Sequence, residues 1–413
     1  MPLPCASCSG GAMIRAALSL FAYLLSVCAF AAPTAAQHVR EEKGDRSSVS
    51  ERKKHFSRTL PHDTAVTSGV FGPTVCVDPQ FAYYSHQPLA ETMEKIRAAG
   101  FTAVQVIDTG RLAHATHREW VKGAHAVGMA AVLRIYPPTD LEIYESHPEW
   151  RQRMLGGAEG RFDWRVYVCP REPAALDALC DKLATTLQAA SYDGVQLAEC
   201  WFEQWGGPEI APGQPRPHYA CVCERCLQAF RDQTGLDARE MLTNPASPYY
   251  WRRAGVGADA YAVWVQQRVD AVSSMTLRLV QAARRVSPRI VVNLMVLSDA
   301  TVEPGKTREY QGVDWQALLT SVQPEILTIQ DAWQDWTRAD LPPTFIREYG
   351  KAYCGTAKRL LPQVFLMTHA DVGSLPASRR SSSWVAEFQQ ESIRSGFDAA
   401  SFYEWSIGPW VRR

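Results

Sequence analysis

Four cysteines and three carboxylic acids carry the chemistry that this sequence is able to do. Cys221-Val-Cys223-Glu-Arg-Cys226 places three thiols within six residues, and Cys169 closes an earlier run, Arg165-Val-Tyr-Val-Cys169. Together they read C-x51-C-x-C-x2-C. Four thiolates converging on one point suit a tetrahedral zinc ion, which would tie down a long loop with few apolar residues to bury. Four sulfur ligands leave no open position for water, so such a metal reads as structural rather than catalytic. Disulfides are the alternative, because eight cysteines lie beyond residue 36: Cys76, Cys169, Cys180, Cys200, Cys221, Cys223, Cys226 and Cys354. Against that, Cys221 and Cys223 are too close to bridge each other without strain.

The acids are Glu199, Asp331 and Glu404, each closing an apolar run and each next to aromatic residues. Glu199 precedes Trp201-Phe-Glu-Gln-Trp205, Asp331 precedes Trp333 and Trp336, and Glu404 sits between Tyr403 and Trp405. Two carboxyl groups facing one hollow can split the work of breaking an acetal. One protonates the leaving oxygen, and the other attacks carbon or activates water. Glu199 is the expected proton donor, with Glu404 or Asp331 as its partner; a salt bridge from Glu199 to Arg134 or Arg165 is the structural alternative. Asp78, Tyr83, Asp108, Arg134, Tyr136 and Asn293 are expected to contact substrate hydroxyls. Trp201, Trp205, Trp333, Trp405 and Trp410 are candidates for a stacking platform. His114, His117 and His125 share a helix without a carboxylate in register and read as solvent-facing.

Elements to position these groups are legible along the chain. Apolar β-rich runs occur at Thr74–Val77, Ala103–Ile107, Ala130–Tyr136, Gly194–Ala198, Ile290–Leu297, Ile326–Ile329, Val364–Met367 and Ala400–Tyr403. They are nearly continuous, as strands buried on both faces of a parallel sheet must be. Helical patterns separate them, for example Pro173–Ala189, Ala258–Val286 and Trp384–Ser395. Eight alternations predict an α/β fold, the (β/α)8 TIM barrel, over residues 73–413. Gly100, Gly128 and Gly396 each precede a strand and are expected to cap helices in the left-handed conformation; a doubly wound sheet with similar joints is the competing architecture. A long excursion follows the fourth strand, from Cys200 to about Trp251. Only nine residues follow Glu404, so the eighth helix is absent and the C-terminal end reads as truncated, or the segment before Pro73 takes its place.

Residues 1–36 read as a signal peptide: Met13-Ile-Arg15 precedes an apolar run from Ala16 to Ala32 and the small-residue string up to Ala36. Residues 37–72, charged and poor in large apolar side chains from His38 to Arg58, read as a disordered linker. A periplasmic or secreted protein follows, with no later stretch of the roughly 18 apolar residues that a membrane span requires. With 43 basic and 43 acidic residues the chain has no net charge, which points away from nucleic acid as a partner. Assembly with copies of itself is compatible with the sequence.

Several of these segments are similar to a known group. Tyr167-Val-Cys-Pro170, Tyr192-Asp-Gly-Val-Gln-Leu-Ala-Glu199, the stretch from His218 to Phe230, Ile290–Met295, Val313-Asp-Trp315 with Ile326–Asp331, Phe365–Thr368 and Ser395–Trp405 resemble family 42 β-galactosidases and the related hypothetical glycosyl hydrolase 6 group. The resemblance implies a glycoside hydrolase of the retaining clan acting on an oligo- or polysaccharide. It implies an acid/base carboxylate ending the fourth strand, matched by Glu199, and a zinc site at Cys169, Cys221, Cys223 and Cys226. It also implies a nucleophilic glutamate ending the seventh strand, where this chain has Thr368. His369 and Asp371 follow and are the residues able to make good that loss through an activated water, with His369 a further substrate contact. Thr368 also motivates a second reading, a catalytically inactive carbohydrate-binding barrel.

Overall fold

In the computed structural model, the described residues are 67–162, 164–202, 207–298 and 306–411. The regions read as signal peptide and most of the linker lie outside them. Eight parallel strands close a ring: β1 (Thr74–Val77), β2 (Ala103–Ile107), β3 (Ala130–Ile135), β4 (Gly194–Leu197), β5 (Val291–Leu297), β6 (Ile326–Gln330), β7 (Phe365–Asp371) and β8 (Ala399–Tyr403). Each strand pairs with its neighbour in sequence, and β1 pairs with β8 through Thr74 opposite Ser401. That closure excludes the doubly wound sheet, whose edge strands would stay unpaired.

Helices cover the outside: α1 (Leu89–Ala98), α2 (His114–Ala126), α3 (Pro173–Ala189), α4 (Glu224–Thr234), α5 (Val256–Val286), α6 (Trp315–Val322), α7 (Gly355–Leu360) and α8 (Ser382–Arg394). Their ends follow local chemistry. Glu172 caps α3 by accepting from the Ala174 amide with Pro173 in the first turn, and Gly235 closes α4 at φ +73°. Gly100, Gly128 and Gly396 have φ of +93°, +73° and +99°, the left-handed backbone expected at those joints. Side chains alternate along each strand. On β3, Ala130 and Val132 fill the barrel while Ala131 and Leu133 pack under the helices.

The barrel floor is closed by the segment that the sequence suggested was linker. Thr67–Phe71 form a 3-10 turn, and Val70 and Phe71 pack on Ala103, Ala130, Val291, Ile326, Phe365 and Ala399. Burying these two side chains contributes roughly 1.5–3 kcal/mol each toward holding the turn in place. At the other end, among the described residues, only a 3-10 turn (Trp405–Ile407) and no α-helix follows β8. Trp410 stacks on Trp405 at 5.5 Å and meets Phe101 edge-on at 5.1 Å, covering the strand where an eighth helix would lie. No helix of the described residues is long and apolar enough to cross a membrane.

Candidate active site

Three carboxylic acids at the C-terminal ends of β4, β6 and β7 open into one cleft of about 300 Å³. This is the face on which barrels carry chemistry. Glu199, two residues beyond β4, has φ +54°, a left-handed conformation that costs a residue with a Cβ on the order of 1–3 kcal/mol. Its surroundings hold it there. Arg165 donates from Nε to Oε2 at 2.9 Å and from Nη2 to Oε1 at 3.3 Å, and Gln330 donates from Nε2 to Oε1 at 3.5 Å. The carboxylate is therefore ion-paired in a bidentate geometry, and the guanidinium in turn lies over the Trp164 ring at 4.7 Å.

Asp331 and Asp371 form a second group across the cleft. The Asp371 backbone amide donates to Asp331 Oδ2 at 3.0 Å. Burial, and after it the charge of Asp371, pushes the Asp331 carboxyl well above the usual carboxylate range. Asp371 is raised by burial too, but it accepts from the Gly373 and Ser374 amides at 2.9 and 2.8 Å and from the Ser374 hydroxyl, all of which favour its charged form. Of two like charges placed together, the better-solvated one stays ionised and the other keeps the proton. Here those are Asp371 and Asp331 in turn.

The floor of the cleft is Arg134 with His369, and its walls are aromatic: Tyr136, Trp164, Trp201, Trp333, Trp336 and Tyr403. Arg134 Nε donates to the Tyr136 hydroxyl at 2.8 Å, while its Nη1 lies 3.1 Å from Gln105 Oε1 and Cys76 Sγ and 3.3 Å from His369 Nε2. Trp333 is 43% exposed on the rim and meets Trp336 edge-on at 4.7 Å.

Of the residues expected from sequence, the structure brings Glu199, Asp331, Arg134, Tyr136, Trp201, Trp333, His369 and Asp371 to this cleft. It places the others elsewhere. Glu404 is wholly buried outside the cleft. Its Oε1 accepts from the Asp78 amide at 3.2 Å and from the Tyr84 hydroxyl, and its Oε2 accepts from the Ser406 amide and hydroxyl at 2.7 and 2.5 Å. Trp405 is buried packing under Trp410, not a stacking surface. Asp78 caps the Gln80 amide, and Tyr83 packs on Tyr84. Asn293 accepts from Thr328 at 2.8 Å inside the barrel, below the cleft. Asp108 caps the amides of Gly110 and Arg111 and lies 3.3 Å from His117 Nε2. His117 is therefore buried, with its Nδ1 2.8 Å from the Tyr192 hydroxyl, and His125 contacts Asp193 at 2.8 Å; neither is a bare solvent-facing group.

Thr368 points out of the barrel to Ser392 of α8 at 3.2 Å, so it does not occupy a cleft position on β7 at all. His369 and Asp371 do. The Glu199–Arg165 ion pair is the structural alternative raised from sequence, and it is present, but Phe162 and Trp164 were not anticipated as a wall of the cleft; they flank a two-residue antiparallel ladder, Arg161–Phe162 with Arg165–Val166, too short to show a pattern. Trp205 lies outside the described residues. Arg165→Ala is expected to lower unfolding free energy by about 3 kcal/mol, the low end for breaking a buried pair from one side, because Arg165 is only one-fifth exposed. Denaturant titration checks this, and an unchanged midpoint would show that the pair does not hold Glu199.

The four cysteines come together as a possible metal site. Cys169, Cys221, Cys223 and Cys226 have all their Sγ atoms within 4.8 Å of one another, with Cys169 3.6 Å from both Cys226 and Cys223. Four sulfurs about 2.3 Å from a tetrahedral zinc would sit about 3.8 Å apart, so the donor set and its spacing fit. The Arg153 amide points at Cys221 Sγ at 3.4 Å, a donor suited to a thiolate. No disulfide joins any of the eight described cysteines. The cluster fastens the start of α4 to the run 165–169, so it also anchors the strand that carries Arg165.

No protein family matches the sequence, and no curated protein matches it. Solved structures do match the fold. The glycoside hydrolase domain of PgaB (BpsB) from Bordetella bronchiseptica is similar with a TM-score of 0.55 at 10% identity, over 80% of this chain and 93% of that domain. Gan42B, a family 42 β-galactosidase from G. stearothermophilus, is similar with a TM-score of 0.57 at 12% identity, over 85% of this chain and 52% of the other. The α-L-fucosidase isoenzyme 2 of Paenibacillus thiaminolyticus gives 0.51 at 12%, over 83% and 47%. The fold is thus the barrel used by glycoside hydrolases. The resemblance to family 42 β-galactosidases is present at that level, and the chain spans about half the length of those enzymes.

Proposed function

We propose that this protein is a glycoside hydrolase that cleaves O-glycosidic bonds of an oligo- or polysaccharide outside the cytoplasm. One observation carries the reading: Glu199, Asp331 and Asp371 meet in a single aromatic-walled cleft at the mouth of the barrel. Asp331, buried and adjacent to a second carboxylate, holds a proton and is placed to give it to the leaving oxygen. Glu199, ion-paired with Arg165, acts as the base or nucleophile. Asp371 keeps the proton on Asp331. Relative to the expectation from sequence, the acid and its partner exchange roles, and Glu404 becomes a structural group.

The reading is tested by assaying the purified full chain against a broad panel of glycans for reducing-end release. Release that disappears in Glu199→Gln supports it. Binding without release by the parent protein would instead favour a non-catalytic sugar-binding barrel. Export rests on the pattern of residues 1–36, and N-terminal sequencing of the mature protein checks it.

Zinc is proposed at the four cysteines, where it would supply cross-linking rather than a reactive water. Cys226→Ser is expected to lose the bound metal by elemental analysis and to make the segment between β4 and α5 sensitive to protease, with activity falling because the run 165–169 loosens. Full metal content in Cys226→Ser would refute the site.

A further inference from the structure

We propose that the cleft selects a substrate carrying an anionic group, a carboxylate or sulfate on the sugar, and that Arg134 is the residue that binds it. This rests on the carbohydrate reading given above and names the substrate class of the same cleft.

Arg134 is 1% exposed at the end of β3 and lines the cleft floor. A guanidinium is always charged, and burying it is costly unless a negative partner offsets the charge. None of its bonded partners supplies one. The Cys76 thiol, at 3.1 Å, is pushed up to about 12 by burial and is uncharged at neutral pH. The Tyr136 phenol, at 2.8 Å, is raised by burial as well. Gln105 is neutral, and His369 is held well below its usual value by burial and by Arg134 itself, so it is an uncharged imidazole. Glu199 is the nearby carboxylate whose charge favours the charged guanidinium, but its hydrogen bonds are made to Arg165 and Gln330 and none to Arg134. Asp371, in the same cleft, directs its hydrogen bonds to the Gly373 and Ser374 donors and makes none to Arg134.

Two further features leave unused hydrogen-bonding capacity at Arg134 and beside it. Arg134 Nε and Nη1 are fixed by Tyr136, Cys76 and Gln105, whereas Nη2 has no hydrogen-bond partner among the described residues. Gln196, opposite Arg134 in the β3–β4 register, is buried with both side-chain amide atoms unpartnered. A buried cation that lines the cleft with a free donor is the group that an anionic substituent of a ligand would pair with. A neutral sugar hydroxyl would satisfy the hydrogen bond but would not give the guanidinium a directly bonded anion.

The test compares matched small sugars that cannot be cleaved: methyl glucuronide against methyl glucoside, methyl galacturonide against methyl galactoside, and the 6-sulfated forms of each. Affinities for the full chain are measured by calorimetry at low and high salt. At least one acidic member is expected to bind about tenfold or more tightly than its neutral counterpart, the gain of one charge-assisted hydrogen bond. The preference should shrink with salt. Whether the uronide or the sulfate shows it distinguishes the two anions. Arg134→Gln should remove the preference; Arg134→Lys, which keeps the charge if the glutamine variant does not fold, should retain part of it. Equal affinity for acidic and neutral sugars in the parent protein, or an undiminished preference in a folded Arg134→Gln, overturns the inference while leaving the glycosidase reading intact. No binding of any sugar, together with no glycan release, sinks both.

Discussion

Replacing Asp331 by Asn is expected to lower kcat/KM by about 10²–10⁴-fold, the usual range for removing a positioned proton donor. An amide has the size and the hydrogen bonds of the protonated acid but no proton to give. The expected pH profile is more specific than the loss. Asp331 is raised by burial and by the charge of Asp371, so the active, protonated form persists well above the ordinary carboxylate range and activity falls only as pH rises through the shifted value. Asp371→Asn deletes the neighbouring charge and should move that alkaline limb to lower pH while leaving the acid limb in place. The same shift has a stability consequence. A carboxyl raised in the folded state contributes stability that is fully present below its unfolded value and is lost as pH rises through the folded one. Asp331→Asn should therefore flatten the decline in stability above the normal carboxylate range. An Asp331→Asn enzyme as active as the parent on an identified substrate would remove Asp331 from the mechanism.

The fold could be read from sequence because parallel strands covered on both faces are continuous apolar runs, and eight of these with helices between them admit few arrangements. The same property hid part of the site. A strand buried on both sides gives no alternation from which to decide which residues face inward, and a shift of one residue turns every side chain to the other face. On β7 that parity assigns His369 and Asp371 to the cleft and turns Thr368 to α8, so the missing glutamate at Thr368 says nothing about the cleft. On β8 it turns Tyr403 inward, and beyond the strand end the 3-10 turn at Trp405–Ile407, capped by Glu404, carries both residues into packing. Glu199 was legible because it ends a strand directly before a long loop. Phe162 and Trp164 were not, because the ladder that presents them has two residues per strand and owes its place to tertiary contacts. The buried 3-10 turn at Thr67–Phe71 was lost in a charged neighbourhood for the same reason: its apolar pair finds a surface only once the barrel has closed.

Glu404→Ala is expected to destabilise the fold by about 4–5 kcal/mol, among the largest effects for one substitution. The side chain is a clamp between the ends of β8 and β1, and its loss strands the Asp78 amide, the Tyr84 hydroxyl and both Ser406 donors in a dry interior, at roughly 1–3 kcal/mol for each group left unpaired and less than additive together. The glutamine variant isolates the charge. Burial raises the Glu404 carboxyl from 4.5 to about 7 in spite of those donors. The folded state therefore binds the proton more tightly than the unfolded chain, and stability present below pH 4.5 is lost as pH rises through about 7. At roughly 1.4 kcal/mol per pH unit, the difference in unfolding free energy between parent and Glu404→Gln should shrink by about 3 kcal/mol across that window. Denaturant melts at four or five pH values measure it directly. A constant difference would mean that the donors from Asp78, Tyr84 and Ser406 offset burial and hold the Glu404 carboxyl at its ordinary value.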